Sequence, residues 1–213
     1  DLRAREAIAD TLSASWRLEE CIAACREGLD VAPQNASIFS CYLLYSHYAA
    51  QPDARALFDL HRRYGELMSV AAAPPYATYP NTREPDRTLR IGYVSRDFCE
   101  HSVASFIEPV IAHHDHSRFQ VYCYYTRAHN DRMSARIAEL SDVWREAHQD
   151  DADALAARIR EDRIDILVDL AGHTFAGALA VFARRPAPVQ MTWLGYPPTT
   201  GPVSMGYRIT HAI

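Results

Sequence analysis

The chain has 213 residues, of which 48% are hydrophobic and 23% charged. That composition excludes a mainly disordered chain. A net charge of −5 argues against a broad nucleic-acid-binding face, and no apolar run reaches the roughly 18 residues of a membrane span. The chain opens Asp1-Leu2-Arg3 with no signal-peptide pattern and no initiator Met, so residue 1 is expected to lie inside a longer natural protein. The 5 cysteines are odd in number and have no disulfide-framework spacing. Reduced thiols in a cytoplasmic compartment are the expectation.

Residues 3–14 carry Ala4, Ile8, Ala9 and Leu12 on one helical stripe. A second helix is predicted over Leu18–Val31, with Leu18, Cys21, Ile22, Cys25 and Leu29 on its apolar face and Pro33 as its stop. Cys21 and Cys25 share that face, but two ligands do not make a zinc site, so no metal is expected there. The pair resembles a tetratricopeptide repeat, with Ala9, Cys21 and Gly28 at the small positions and Pro33 closing the unit. Two further helices are predicted at Ile38–Ala49 and Asp53–Val70. His61-Arg62-Arg63 reads as a charged face of the latter, with Tyr64 turned inward. Pro74, Pro75, Pro80 and Pro85 preclude a continuous helix after it.

From Leu89 apolar β-rich runs alternate with helices. The runs are Leu89–Ser95, Phe119–Thr126, Val143–Glu146, Ile164–Leu170, Val189–Leu194 and Tyr207–Thr210. The helices between them are Val103–His113, Asp131–Ser141, Ala152–Asp162 and Phe175–Ala183. This alternation predicts a parallel sheet covered on both faces, with ligands outside the carboxyl ends of its strands. The expected organisation is a repeat-like unit at 1–36, a helical transition at 37–72, a proline-rich linker at 73–88 and a Rossmann-like lobe at 89–213. His113, His114 and His116 read as a solvated helix end, and Asp150, Asp151 and Asp153 as acids at a helix start.

Three loops at strand ends hold the chemistry. In Arg96–Ser102, Asp97 and His101 are placed to orient a proton-transferring imidazole, although Asp97 or Ser102 would equally cap the next helix. In Asp169–Thr174, Gly172 allows a tight turn. His173 and Thr174 fall at a predicted helix N-terminus, where N–H groups favour anions and Thr174 would equally be a cap. In Trp193–Gly201, Gly195 would let a bulky ligand approach the backbone, and Tyr196 and Pro197 stiffen the turn; ordinary turn chemistry is the alternative. Neither G-x-G-x-x-G nor G-x-x-x-x-G-K-[ST] occurs, which weakens a dehydrogenase or P-loop reading.

Four segments, LRIGYVSRDFCEH (89–101), FQVYCY (119–124), IDILVDLAGHT (164–174) and RPAPVQMTWLGYPPTTG (185–201), resemble the O-linked N-acetylglucosamine transferase family in its bacterial branch. The resemblance implies a TPR-like helical region followed by the first Rossmann-like lobe of a GT-B catalytic region. It implies inverting, metal-free transfer of N-acetylglucosamine from UDP-N-acetylglucosamine to Ser or Thr hydroxyls of a protein acceptor. Asp97 and His101 of the Asp-Phe-x-x-His segment would face the cleft. His47 of Ser46-His47 matches an upstream active-site histidine, and Leu194-Gly195-Tyr196-Pro197 would lie beside the sugar and the acceptor. The base stays open among His47, His101, Asp97 and a phosphate oxygen of the donor. The family's second lobe carries most donor contacts, including a lysine, whereas here all 22 basic residues are Arg, so the donor half is expected to lie outside these residues. The competing readings are a repeat-type protein-binding module with a passive α/β scaffold, and another two-lobed glycosyltransferase or epimerase.

Overall fold

The computed structural model describes residues 7, 11–12, 15–49, 51–71, 74–174, 177–201 and 204–210. Most of the expected helix over 3–14, with Ala4, Ile8 and Ala9, lies outside them. Three helices come first: α1 (Leu18–Val31), α2 (Ala36–Ser46) and α3 (Ala54–Ala71). Glu19 and Glu20 favour the first turn of α1. The Asn35 side chain accepts from Ile38 N–H (2.8 Å) to start α2, two residues before the predicted start. Asp53 accepts from the N–H groups of Arg55 (2.9 Å) and Ala56 (3.1 Å) at the head of α3. A Cβ at Gly28 would stand 3.1 Å from Ile38, so the glycine sets how closely α1 and α2 approach.

The strands are β1 (Leu89–Ser95), β2 (Phe119–Tyr125), β3 (Val143–Glu146), β4 (Ile166–Asp169), β5 (Val189–Thr192) and β6 (Tyr207–Arg208). Between them run α4 (Ser102–Ala112), α5 (Arg132–Leu140), α6 (Ala152–Glu161) and α7 (Leu179–Ala183). The six strands form one sheet in the order β3-β2-β1-β4-β5-β6, and every pairing is parallel. This is the doubly wound order, in which the chain leaves β1 toward one edge and returns to β4 on the other side.

Alternation along the strands builds two cores. Ile91, Tyr93, Val121, Cys123 and Tyr125 face α4 and α5, where they meet Ile107, Ile111 and Ile137. Val94, Tyr122, Tyr124 and Leu167 face α6 and α7, where they meet Leu155, Ile159 and Phe182. A third cluster joins Phe39, Leu43, Tyr64 and Met68 of α2 and α3 to Leu179 and Ala183 of α7, which seats the helices on the lobe.

Two expectations are corrected. The helix predicted over Phe175–Ala183 covers Leu179–Ala183 among the described residues. Gly177 N–H donates to the Thr174 carbonyl (3.0 Å), and a Cβ at Gly177 would stand 2.1 Å from the Gly172 carbonyl oxygen, so Gly177 is held against the preceding turn rather than in a helix. The histidines after α4 are not all solvated. His114 is half-buried with Nε2 2.8 Å from the Tyr93 hydroxyl, and His116 Nδ1 lies 3.1 Å from Asp142.

The proline-rich segment is strapped to the lobe. Tyr76 N–H donates to the Arg184 carbonyl (3.0 Å), and the Arg160 guanidinium lies over the Tyr76 ring and donates to the Thr78 carbonyl (2.7 Å). At its far end Asn81 and Arg87 both donate to Asp165 at the start of β4, and Arg90 N–H donates to the same carboxylate (2.9 Å). Burial would raise the Asp165 pKa, but Arg87, the Arg90 N–H and Asn81 outweigh it and hold the carboxyl below its ordinary value. Asp165→Ala should therefore destabilise the fold by about 3 kcal/mol, measured by urea unfolding, because it strands a largely buried Arg87 and an amide.

Candidate functional site

The switch point of the sheet lies between β1 and β4, so the loops after these strands diverge and leave a crevice. Asp169, the last residue of β4, is fully buried below it. Its carboxylate accepts from the N–H groups of Ala171 (3.1 Å) and Gly172 (2.9 Å) and from the Thr192 hydroxyl (3.0 Å). Burial pushes this carboxyl up to about 6 against the opposing pull of those three donors. The turn it shapes needs Gly172, whose φ is +57° and whose absent Cβ would stand 2.3 Å from that of Tyr196.

In the loop after β1 the side chains divide between the core and the crevice. Phe98 and Cys99 enter the core, with the Phe98 ring 5.8 Å from Trp144. Asp97 and His101 point the other way. The Asp131 carboxylate holds the Glu100 N–H (2.7 Å), and the Ser95 hydroxyl holds the Asp97 N–H (2.9 Å). His101 is the N-cap of α4: its Nδ1 accepts from Val103 N–H (3.2 Å). That assigns the ring proton to Nε2, on a side chain 45% exposed and therefore reachable. Asp97 Oδ2 lies 4.0 Å from the same Nδ1, beyond hydrogen-bond reach.

A cavity of about 280 Å³ opens here, lined by Asp97, His101, Phe106, Thr174, Leu194 and Gly195. A second, of about 590 Å³, lies beside α3 and is lined by His47, Leu57, Phe58, His61, Thr199 and Arg208 among others. His47 stands at the C-cap of α2, and its buried Nε2 has no hydrogen-bond partner among the described residues. The structure thus gathers Asp97, His101, Thr174, Leu194 and Gly195 around one cavity and sets His47 on another.

The Leu194–Pro197 turn lies between them. Leu194 adopts φ 73°, a left-handed conformation that costs a non-glycine residue about 1 kcal/mol. Gly195 owes its small size to the Leu170 carbonyl oxygen, which a Cβ would meet at 2.1 Å, so the close approach anticipated for a ligand is made by the chain itself. The Tyr196 ring is buried beside His47 and His61, and exposed Pro197 gives its carbonyl to Arg208 (2.8 Å).

Beneath both cavities lies an imidazole cluster that sequence reasoning missed in part. His61, expected on a charged face, is 1% exposed. Its Nδ1 donates to the Leu57 carbonyl (2.6 Å), so Nε2 accepts from the Tyr196 hydroxyl (2.7 Å). The spacing of Leu57, His61, Tyr64 and Met68 along one helix face carried this signal, and all four are buried. His173 is equally buried. Its Nε2 donates to the Thr200 carbonyl (2.9 Å) and its Nδ1 accepts from the Ser40 hydroxyl (2.9 Å). Both nitrogens are occupied, and burial, with His61 nearby, pushes this imidazole down to about 3. His173 therefore faces structure rather than solvent. Thr174 lies in none of the described helices; its hydroxyl closes the turn onto the Ala171 carbonyl (2.7 Å), and among the described residues no helix N-terminus forms the anion site expected there. Burial lowers His47 and His61 as well.

These shifts set a pH dependence. The folded pKa of His173 lies below its unfolded value, so its stabilisation is complete above about pH 6.5 and is lost as pH falls toward 3, a total of about 5 kcal/mol. Asp169 acts in the opposite sense: raised in the fold, it favours the fold at low pH and loses about 3 kcal/mol as pH climbs to about 6. Because His47 and His61 add to the histidine side, thermal midpoints should rise from pH 4.5 to 7. His173→Gln should flatten that profile and Asp169→Asn should steepen it, as read by differential scanning calorimetry.

Residues 59–213 match the model for glycosyl transferase family 41. A tomato (Solanum lycopersicum) protein described as a probable UDP-N-acetylglucosamine–peptide N-acetylglucosaminyltransferase, SPINDLY, is 37% identical over 189 residues, covering 87% of this chain and 20% of its own length. The SEC protein of Arabidopsis thaliana, described by the same activity, is 33% identical over 77% of this chain and 18% of its own. A mutant O-GlcNAc transferase of Thermobaculum terrenum superposes with a TM-score of 0.91 at 36% identity, covering 98% of this chain and 40% of that one. The chain thus spans about a fifth of the plant relatives it matches. On the family match and these identities, the chain belongs to glycosyl transferase family 41.

Proposed function

We propose that this chain is the acceptor-side lobe of an inverting glycosyltransferase that moves N-acetylglucosamine from UDP-N-acetylglucosamine to Ser and Thr hydroxyls of proteins. The observation that carries the reading is the carboxylate and imidazole, Asp97 and His101, held together at the mouth of the switch-point cavity of a family 41 lobe. The relatives named for that donor and a peptide acceptor support the substrate pair.

Inversion needs the acceptor hydroxyl aligned with the departing pyrophosphate. In this reading the cavity wall formed by Thr174, Leu194 and Gly195 positions the hydroxyl and sugar, His101 offers its Nε2–H as a donor to the reacting oxygens, and Asp97 or a phosphate oxygen of the donor takes the hydroxyl proton. His47, with its unpartnered Nε2, is a second polar contact from the neighbouring cavity. Tyr196, Gly172 and His173 act as positioning residues beneath. We assign the uridine and pyrophosphate contacts to a second lobe and the leaving-group charge to its fixed donors, with no metal or other cofactor. We read α1 as the last helix of a tetratricopeptide-type repeat ending near 36, supported by Pro33 closing it and by Gly28 at a small position, with a transition to 72 and a strap from 73 to 88 before the lobe. A cytoplasmic location is supported by five reduced cysteines. Among the described residues no helix is long and apolar enough to cross a membrane.

The test separates capping from chemistry. In the full-length protein, His101→Asn keeps a side chain able to cap α4 but removes the imidazole. Transfer from UDP-N-acetylglucosamine to an acceptor peptide should fall about 100-fold or more, with the thermal midpoint unchanged. Full transfer by His101→Asn would remove His101 from the reaction.

A further inference from the structure

Away from these cavities, three thiols converge between α1 and α2. The sulfurs of Cys21, Cys25 and Cys41 lie within 4.8 Å of one another, and Cys25 Sγ is 3.4 Å from Cys41 Sγ. Cys21 and Cys25 stand one turn apart on α1, and Cys41 faces them from α2. Cys21 and Cys25 are buried. Half-buried Cys41 also lines a cavity of about 300 Å³ running past Ser40 and Tyr64, which gives the cluster an approach from outside.

The surroundings decide what such a cluster holds. Its apolar neighbours are Leu12, Leu29, Ile38, Tyr42 and Tyr45, and the charged Arg26 meets this shell at the Tyr42 hydroxyl (3.4 Å). Three thiolates around a monovalent or divalent ion would leave net negative charge in this apolar pocket, at a high desolvation cost. Zinc also takes a fourth ligand, and among the described residues the cluster offers three. A trivalent thiophilic centre leaves no net charge. With bonds to sulfur of about 2.3 Å, as in thiolate complexes generally, a pyramidal centre sets its sulfurs about 3.5 Å apart. Cys25 and Cys41 already meet that spacing.

We propose that Cys21, Cys25 and Cys41 form a binding site for trivalent arsenic, taken up as arsenite. The reaction is a condensation. Each S–H gives its proton to one hydroxyl of As(OH)₃, three As–S bonds replace three As–O bonds, and three waters leave, with no change in oxidation state. The product staples α1 to α2.

Native mass spectrometry of the full-length protein, reduced with a phosphine and freed of small thiols, tests this with arsenite as the probe. The expected product is a one-to-one adduct heavier by one arsenic less three hydrogens, in which all three thiols resist alkylation by iodoacetamide on peptide mapping. Cys41→Ala should give an adduct that retains one hydroxyl on arsenic and binds at least about tenfold more weakly, because a chelating thiol is lost. Cys123→Ala, in the sheet core, should behave like the parent. A parent adduct that keeps a hydroxyl, an unchanged adduct in Cys41→Ala, or no adduct at all would each overturn the proposal. The parent's mass and alkylation pattern decide the matter even if the Cys41 variant fails to fold.

Discussion

The structure depends on keeping imidazoles neutral where the helices meet the lobe. His61 and His173 each donate through one nitrogen to a backbone carbonyl and accept through the other from a hydroxyl. A proton added to either ring would turn an acceptor into a donor aimed at a hydroxyl, in surroundings that already resist charge. In their neutral forms the rings tie α2 and α3 to the two loops that follow β4 and β5. The walls of both cavities are consequently fixed by helices that lie outside the sheet.

The same economy of space shapes the loops. Gly172 meets Tyr196, Gly177 meets the Gly172 carbonyl, and Gly195 meets the Leu170 carbonyl. Three backbones are thereby stacked at the sheet's carboxyl edge with Asp169 hydrogen-bonded beneath them. Against this rigid floor the first loop anchors Phe98 and Cys99 in the core, and that anchorage presents Asp97 and His101 to the crevice. The imidazole caps α4 through Nδ1 and leaves its other nitrogen toward the crevice.

Much of the lobe was legible in the sequence because its strands are buried on both faces and read as apolar runs. Leu89–Ser95 and Val143–Glu146 have the predicted bounds. Asp97 and His101 were legible as neighbours because a five-residue segment fixes both. The helix after Thr174 was overpredicted because Ala and Leu propensity conceals the backbone contact of Gly177. His61 was misread because the adjacent Arg62 and Arg63 dominate local polarity, whereas the face shared with Leu57, Tyr64 and Met68 is apparent only at helical spacing. The cluster at Cys21 and Cys25 gained its third thiol, Cys41, from α2, and a partner on another helix leaves no trace in local spacing. The separation of His47 from His101 into different cavities follows from the Leu194–Pro197 turn between them, which no local pattern encodes.

The segment between α3 and β1 has a mechanical consequence. Proline-rich connections usually serve as spacers between bodies that move independently. Here the connection is bonded along its length, through Tyr76 to the end of α7, through Thr78 to α6, and through Asn81 and Arg87 to the base of β4. Its anchors, Arg184 after α7, Arg160 at the end of α6 and Asp165 just before β4, all precede strands and so lie at the amino edge of the sheet, opposite the imidazole contacts. Together with the imidazole contacts it forms a bracket with two fixing points at opposite ends of the strands. A body held at two separated points does not swing about either, so α2, α3 and the sheet respond to load as one rigid unit.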